Sequence, residues 1–409
     1  MTLSIKGASV VAARSLEQLE PHREAIEHLA AHAVDPNPFY EPWFMLPLLR
    51  IFGRRQRLCM LLVYSTATAD LLGFFPFEWT LLHRRLPLTC LRLWRDPEHW
   101  AATRRGSPAS PSDRPWGPWV QRSTPLVRDG ALADCIAAVL GWMASDPEAP
   151  RLIDLPNVPA TTAVAQALAA GLAADGGLRH VVLDGESHLY RRQIDAETYL
   201  ARILDGDRRR NLQRRARRLA ELGPVAYVDV DDPQEGGRLI DDFVVLEAGG
   251  WKGGNGTAMA SCDGGAEVAE AVLHEAWRRG RLSLLGLRVG GRLVAGRSII
   301  LAPPGGFGFK IAYDESEAIA RCSPGYLLEM EGLRRFHDDT TRLGAGMRWL
   351  DTCADAGAAL ARATRWESLS ISRTIVARRG SAAEGVVALL PRLVATKATL
   401  RSNLGTIKT

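Results

Sequence analysis

The chain has 409 residues, 46% hydrophobic and 24% charged, with a formal net charge of +5. That length suits two ordinary domains or one large one, and the composition excludes a disordered or fibrous protein. The mild positive charge falls short of a dedicated nucleic-acid coat, and six scattered cysteines without a C-x-x-C pair argue against zinc or thioredoxin-like chemistry. No apolar run approaches the ~18 residues of a membrane span, and the N-terminus lacks the apolar core of a secretory signal, so a cytoplasmic protein is expected.

In chain order, a helix-period segment at 16–33 precedes a loop, "DPNPFYEPWF", whose prolines at 36, 38 and 42 forbid a regular ladder. Extended runs follow at 58–64, 71–80 and 88–94, the first two joined by the polar hairpin loop "STATAD". A Pro-, Ser-, Arg- and Trp-rich stretch at 95–123 has no usable period and reads as an irregular excursion. A helix at 131–144, a strand at 151–155, a helix at 161–173 and a strand at 180–185 complete the first half.

The second half repeats that order. Helices are expected at 207–222, 234–248 and 265–279, then strands at 282–289 and 292–301 around the turn pair Gly290-Gly291. "PPGG" leads into a third strand at 307–314; a helix near Tyr326, a strand at 347–353, a helix at 356–365 and a strand at 370–378 follow. The matching order predicts an α/β (α+β) protein of two domains, each a mixed sheet flanked by helices: 1–190, 191–380, and a terminal helix within 381–409.

"RRRNLQRRARR" (208–218) holds seven arginines in eleven residues. Leu212, Ala216 and Leu219 form one helical stripe, Gly223-Pro224 stops the helix, and Asp205 and Asp207 offset the positive charge at its start. A solvated charged face accounts for the run; so does an edge that attracts phosphate, with Arg209 and Arg214 as contacts. No helix-turn-helix or zinc finger surrounds it, so no DNA partner is expected.

In "FKIAYDESEAIARCSPGYLLE" (309–329) a strand leads through an acidic loop into a Ser-Pro-Gly helix start. Ser323 suits the cap and Pro324 the first turn. Such a start presents free N–H groups to an anion. Asp314 and Glu315, at the strand end, are candidate bases, with Glu247 a further carboxylate. Lys310 interrupts an apolar strand and is a candidate anion contact. Trp251 and Lys252 open the loop "WKGGNG", whose glycines allow tight bending around a ligand. Asp351 could face the cleft or anchor a loop, and Cys353 on an apolar strand reads as inert core.

"RRNLQRRARRLAELGPV", "EAGGWKGGNGTAM", "GLRVGGRLVAGR", the strand-loop-helix above and "WLDTCADAGAALARATRWE", in this order, resemble the FemAB-like branch of the GNAT acyltransferase superfamily. Within it the chain is similar to CelD-type acetyltransferases associated with cellulose biosynthesis. The likeness covers 195–370 well and 35–65 faintly. It implies two tandem GNAT-like domains, the first degenerate, and transfer of an acyl group from acetyl-CoA or another acyl-CoA to an amine or hydroxyl of a small molecule or polysaccharide precursor. No metal is implied.

The family's cofactor loop carries Arg/Gln-x-x-Gly-x-Gly/Ala. Here Arg321 and Gly325 remain, with Ser323 or Pro324 in place of the first glycine. Tyr326 would protonate the departing thiolate. Some FemAB-like members use aminoacyl-tRNA instead, which makes tRNA an alternative partner, and a non-catalytic accessory protein of a polysaccharide-synthesis complex is a third reading.

Overall fold

The computed structural model describes residues 3–5, 7–83, 86–96, 119–175, 178–193, 195–232, 235–254, 256, 258–261, 263–354, 367–378 and 380–391. Its strands are β1 (Leu3–Ile5), β2 (Ala8–Ala13), β3 (Arg57–Ser65), β4 (Leu71–His83), β5 (Leu86–Leu93), β6 (Leu126–Val127), β7 (Leu152–Pro159) and β8 (Leu178–Arg191) in the first half. The second half supplies β9 (Val225–Asp229), β10 (Leu282–Val289), β11 (Arg292–Ala302), β12 (Gly305–Tyr313), β13 (Trp349–Asp351) and β14 (Glu367–Arg378). All join one mixed sheet in the order β1-β2-β3-β4-β5-β7-β14-β8-β13-β12-β11-β10-β9, with β6 on β4.

The expected repeat is visible in the pairing. Each half has an antiparallel meander (β3-β4-β5 and β10-β11-β12) whose last strand pairs in parallel with the next, β5 with β7 and β12 with β13. The final strands are exchanged. β14, from the end of the chain, lies between β7 and β8, while β8 reaches across to pair with β13. The two halves are therefore stitched by reciprocal strands rather than set side by side.

Both faces of the sheet are covered, which explains why its central strands read as continuous apolar runs. Cys59, Leu61 and Val63 of β3 face the helices Leu132–Ser145 and Ala163–Ala174. Leu58, Met60 and Leu62 face a core shared by both halves, where the helix Pro42–Phe52 meets the helices Gly236–Gly249 and Gly265–Arg278. On the opposite face of the second half lie the arginine-rich helix Gly206–Ala220 and the helix Pro324–Phe336.

The segment read as a loop at 35–44 ends in that 42–52 helix, which tolerates Pro42 in its first turn and carries Pro47 inside. Its aromatic residues supply the reason: Trp43, Phe44 and their neighbours are fully buried, and core packing overrides the proline penalty. The expected 356–365 helix lies outside the described residues; of the 383–401 helix, residues 382–391 are helical. The β1–β2 hairpin, β9 and the helix Ala196–Ile203 had no counterpart in the sequence reading.

One buried carboxylate clamps the exchanged strand. Asp154 on β7 accepts from Arg92 Nε of β5 at 2.7 Å and from Arg373 Nε and Nη2 of β14 at 2.8 and 2.7 Å. Burial opposes its charge, but the Arg373 and Arg92 guanidiniums prevail and hold its pKa down at about 2. The stability this group contributes is full above the unfolded carboxyl value of about 3.9 and drains away as pH falls towards 2. A melting-temperature series over that acid window should show the decline, and Asp154→Asn should flatten it while lowering stability at neutral pH.

Candidate active site

The second parallel pair makes a wedge. β12 and β13 run together only from Gly305 to Phe307 against Trp349 to Asp351. At the rim, Gly308 sits so close to the neighbouring chain that a Cβ there would lie 2.4 Å from the Thr352 carbonyl oxygen, which demands glycine. On the other side of β12 the ladder slips: Ile299 pairs with Gly308 but Ser298 with Lys310, leaving Phe309 as an extra residue. Such a bulge re-aims side chains. Phe309 and Lys310 consequently both face the helix Gly236–Gly249, Phe309 against Phe44 and Trp119, with ring centroids at 5.7 and 6.1 Å.

Lys310 enters a cluster of charges. Glu247, 1% exposed near the end of the 236–249 helix, accepts the Met259 N–H at Oε2 (2.7 Å) and places Oε1 3.6 Å from Lys252 Nζ, with no hydrogen bond to Oε1 itself. Lys252 also donates to the Ile311 carbonyl at 2.6 Å, next to Lys310 in β12. Removal from water, then the Lys252 ammonium, push the Lys310 pKa down to about 8 against the pull of Glu247 and Asp96. Burial also lowers Lys252, with Glu247 opposing. Three residues singled out in the sequence, Glu247, Lys252 and Lys310, thus meet at the wedge.

The loop "WKGGNG" does not bend around a ligand in its first part. Trp251–Gly254 form a single helical turn, and a Cβ on Gly253 would lie 1.7 Å from the Ala248 carbonyl oxygen, so that glycine accommodates the protein's own backbone. The Trp251 side chain lies outside what is described.

The remaining candidates are elsewhere. Asp314 ion-pairs with Arg292 and accepts the Ser316 N–H at 2.7 Å; the Ser316 and Arg292 contacts outweigh its burial and lower its pKa. Glu315 is exposed beyond it. Arg321 is exposed and pairs with Glu317. Ser323 stands at the start of the 324–336 helix but does not cap it: its backbone is left-handed (φ 49°, ψ 59°) and its hydroxyl makes no cap bond. Pro324 and Gly325 are buried, Gly325 against Tyr313. The Tyr326 hydroxyl is buried on the side of Arg208 and Arg215, without a hydrogen-bond partner among the described residues, and burial raises its pKa.

The amides around this loop are mostly spent within the loop. Those of Ala320, Arg321, Cys322 and Ser323 donate to the carbonyls of Ser316, Glu317, Ile319 and Ala320, and those of Tyr326 and Leu327 to Ser323. Pro324 has no N–H, so among the described residues the Gly325 amide alone is left for an anion across 320–327.

The arginine helix begins at Gly206, where Asp205, read in the sequence as an offsetting charge, also caps it by accepting the Arg208 N–H at 2.8 Å. Its inward stripe differs. Ala216 is exposed; Arg208, Asn211, Leu212 and Arg215 are half-buried and Leu219 fully buried. Long arginine stems cover apolar surface better than a methyl group can. Arg209 and Arg214 point to solvent, and the helix lies on the sheet face opposite Glu247 and Lys252, so those two arginines do not line the wedge.

Two parts of the site escaped the sequence reading, both from the stretch taken as an excursion. Asp96 is buried and accepts the Trp119 and Val120 N–H groups at 3.3 and 3.1 Å. Arg122 forms a buried two-pronged ion pair with Asp351, Nε to Oδ2 at 2.7 Å and Nη2 to Oδ1 at 2.8 Å, and also donates to Ser187 Oγ at 2.7 Å. Asp351 is therefore an anchor of the wedge. Burial raises the Cys353 thiol well above its ordinary pKa, as an inert cysteine requires. Among the described residues no group of three or more His, Cys, Asp or Glu could hold a metal ion.

The wedge of the first half, between β5 and β7, is filled differently. Phe77, Leu93, Ile153 and Leu155 line a cavity of about 40 Å³ whose only polar side chains are Ser372 and Thr374. It offers no titratable group.

An antiparallel meander whose last strand pairs in parallel with a further strand, present twice in one helix-flanked mixed sheet, defines a tandem mixed α/β architecture. Residues 206–359 match the family model described as "Acetyltransferase (GNAT) domain", so the second half is similar to GNAT acetyltransferase domains. Among solved structures, FemX is similar at 9% identity over 92% of this chain and 96% of FemX, with a TM-score of 0.52, which establishes a common fold. A protein of unknown function from Bacteroides thetaiotaomicron matches at 11% identity over 88% of this chain and 97% of its own, TM-score 0.49. A tandem GNAT protein from the clavulanic acid biosynthesis pathway matches at 14% over 92% and 99%, TM-score 0.40. No curated protein matches the chain by sequence.

Proposed function

We propose that the chain transfers an acyl group from an activated ester to an amine, with the reacting carbonyl held at the β12–β13 wedge. The observation that carries this reading is the bulge at Phe309, which turns the half-buried Lys310 to the face where Lys252 and Glu247 lie. As the amine attacks, negative charge develops on the carbonyl oxygen, and a cation fixed in a low-dielectric site stabilises it far more than water does. Lys310 supplies that cation. Glu247 Oε1, ion-paired with Lys252 but without a hydrogen bond among the described residues, takes the proton of the attacking nitrogen and returns it to the ester oxygen as the acyl C–O bond breaks and the alcohol leaves.

The residues around 321–326 do not fit the pyrophosphate of CoA. Only one free amide and an exposed, ion-paired Arg321 face that position, so no step is assigned to CoA. This favours the aminoacyl ester among the donors implied by the family resemblance. Arg321, Ser323, Pro324 and Gly325 then serve to start the helix, and Tyr326 packs between it and the arginine helix. The proposal keeps two units, 1–190 and 191–380, the first without chemistry; cellulose biosynthesis has no support in these residues.

Purified protein should transfer the aminoacyl group of a charged tRNA to a panel of amine acceptors. It should show no melting-temperature shift with acetyl-CoA, where a bound ligand at about 100 times Kd would add roughly 2.7 kcal/mol. A CoA shift together with acetyl transfer would overturn the choice of donor; failure of both donors would overturn the enzyme reading.

A further inference from the structure

We propose that the outer face of the 206–220 helix, together with Leu222, Val225 and Tyr227, is a docking surface for an anionic lipid bilayer. The helix is 15 residues long, about 22 Å, and turns Arg208, Asn211, Leu212, Arg215 and Leu219 inward. Its outer face presents Arg209, Arg210, Arg214, Arg217 and Arg218. Asp207 pairs with Arg210; among the described residues no ion pair is made by Arg209, Arg214, Arg217 or Arg218. Among the described residues, four arginines of this face thus have no internal counter-charge.

The apolar part is continuous with it. Leu222, two residues after the helix, is 47% exposed, and Val225 and Tyr227 on edge strand β9 are each 38% exposed. Val225 pairs with Val289 and Tyr227 with Leu287, and Val289 and Leu287 pack beneath the arginine helix with Leu219. Val225 and Tyr227 therefore stand on the same sheet face as the arginines, at the rim of the sheet. Charged groups that need an anion and exposed apolar side chains that need an apolar phase share one surface.

A bilayer of anionic lipids satisfies both: headgroups meet the guanidiniums while leucine, valine and tyrosine enter the interface. RNA would meet the arginines through phosphate and stack a base on Tyr227, but gains nothing from Leu222 or Val225. The surface lies on the sheet face opposite the Glu247–Lys252 cluster, so this inference does not rest on the catalytic reading.

The test is co-sedimentation of the full chain with vesicles of phosphatidylcholine containing a quarter phosphatidylglycerol, against pure phosphatidylcholine, at about 0.1 M salt. Binding should require the anionic lipid and weaken with salt. Arg217→Glu/Arg218→Glu and, separately, Leu222→Glu/Tyr227→Glu should each lower the partition coefficient at least tenfold, with unchanged circular dichroism and melting temperature. Two results would overturn the proposal. One is equal partition onto neutral and anionic vesicles, or onto neither. The other is a pattern in which only the arginine pair matters and tRNA competes the protein off the vesicles, which would make the face an RNA surface.

Discussion

Lys310→Met should cut the transfer rate by about 10²–10³-fold, the usual loss when one donor to a developing oxyanion is removed, and should leave the fold intact or firmer. The second half of that expectation separates chemistry from architecture. An ammonium drawn out of water costs folding energy, which is why removal from solvent and the Lys252 charge push the Lys310 pKa down to about 8. An uncharged side chain of similar length avoids that cost, so the melting temperature should hold or rise while activity collapses. A structural lysine would behave in the opposite way.

The same shift predicts a pH dependence with a definite sign. The protonated form is the active one, so the rate should fall as pH rises through about 8. Acceptor deprotonation raises the rate with pH, and the product of the two is a bell whose descending limb belongs to Lys310. Lys310→Arg keeps its charge throughout this range and should abolish the descending limb even where its misplaced guanidinium lowers the maximum. Stability follows the linked curve: the folded-state pKa lies below the unfolded value of about 10.4, so the penalty is full below pH 8 and is relieved as pH rises towards 10. A rate profile without a descending limb near 8, or one unchanged in the arginine variant, would remove Lys310 from the reaction.

What the sequence made legible follows from which forces are local. The helix at 206–220 was readable from its apolar stripe and from Gly223-Pro224 as its stop, both short-range effects, while the capping role of Asp205 was not. Its inward face was misread at Ala216, because ranking by hydrophobicity ignores the apolar stems of Arg208 and Arg215. The two meanders, and the helix and strand that follow each, were visible as apolar runs. The exchange of β8 and β14 was not, since a strand's period says nothing about which distant strand it joins. Lys310 drew notice as a charge in an apolar strand, yet the slip that turns it to the same face as Phe309 is a property of two strands together. Asp96 and Arg122 lay in a stretch rich in proline, serine and tryptophan, where neither period nor motif marks a residue. Their roles come from partners 23 to 229 positions away.

Arg122→Ala should destabilise the protein by about 3–5 kcal/mol, the range for removing one partner of a buried ion pair. Both side chains are nearly inaccessible, 5% for Arg122 and 2% for Asp351, so the abandoned carboxylate cannot recover its hydration. Among the described residues the Cys353 N–H at 2.8 Å remains to it, a weak replacement for a two-pronged guanidinium. Asp351 stands on a three-residue strand inserted between β8 and β12, so little else holds that strand in register. The loss should spread in two directions. Arg122 also donates to Ser187 on exchanged strand β8, which weakens the seam between the halves. On the other side, Thr352 follows Asp351 at the wedge against Gly308, so the position of Lys310 relaxes and the rate falls with stability. The double variant Arg122→Met/Asp351→Leu removes both charges and should recover most of the stability, because apolar replacement of a buried pair is often neutral or better. Urea denaturation of the two single variants and the double variant measures the coupling directly, and additive losses would show that the pair does not act as one unit. Recovered stability without recovered transfer would further separate the two consequences of the pair: holding the halves together, and holding the wedge at the spacing that Lys310 requires.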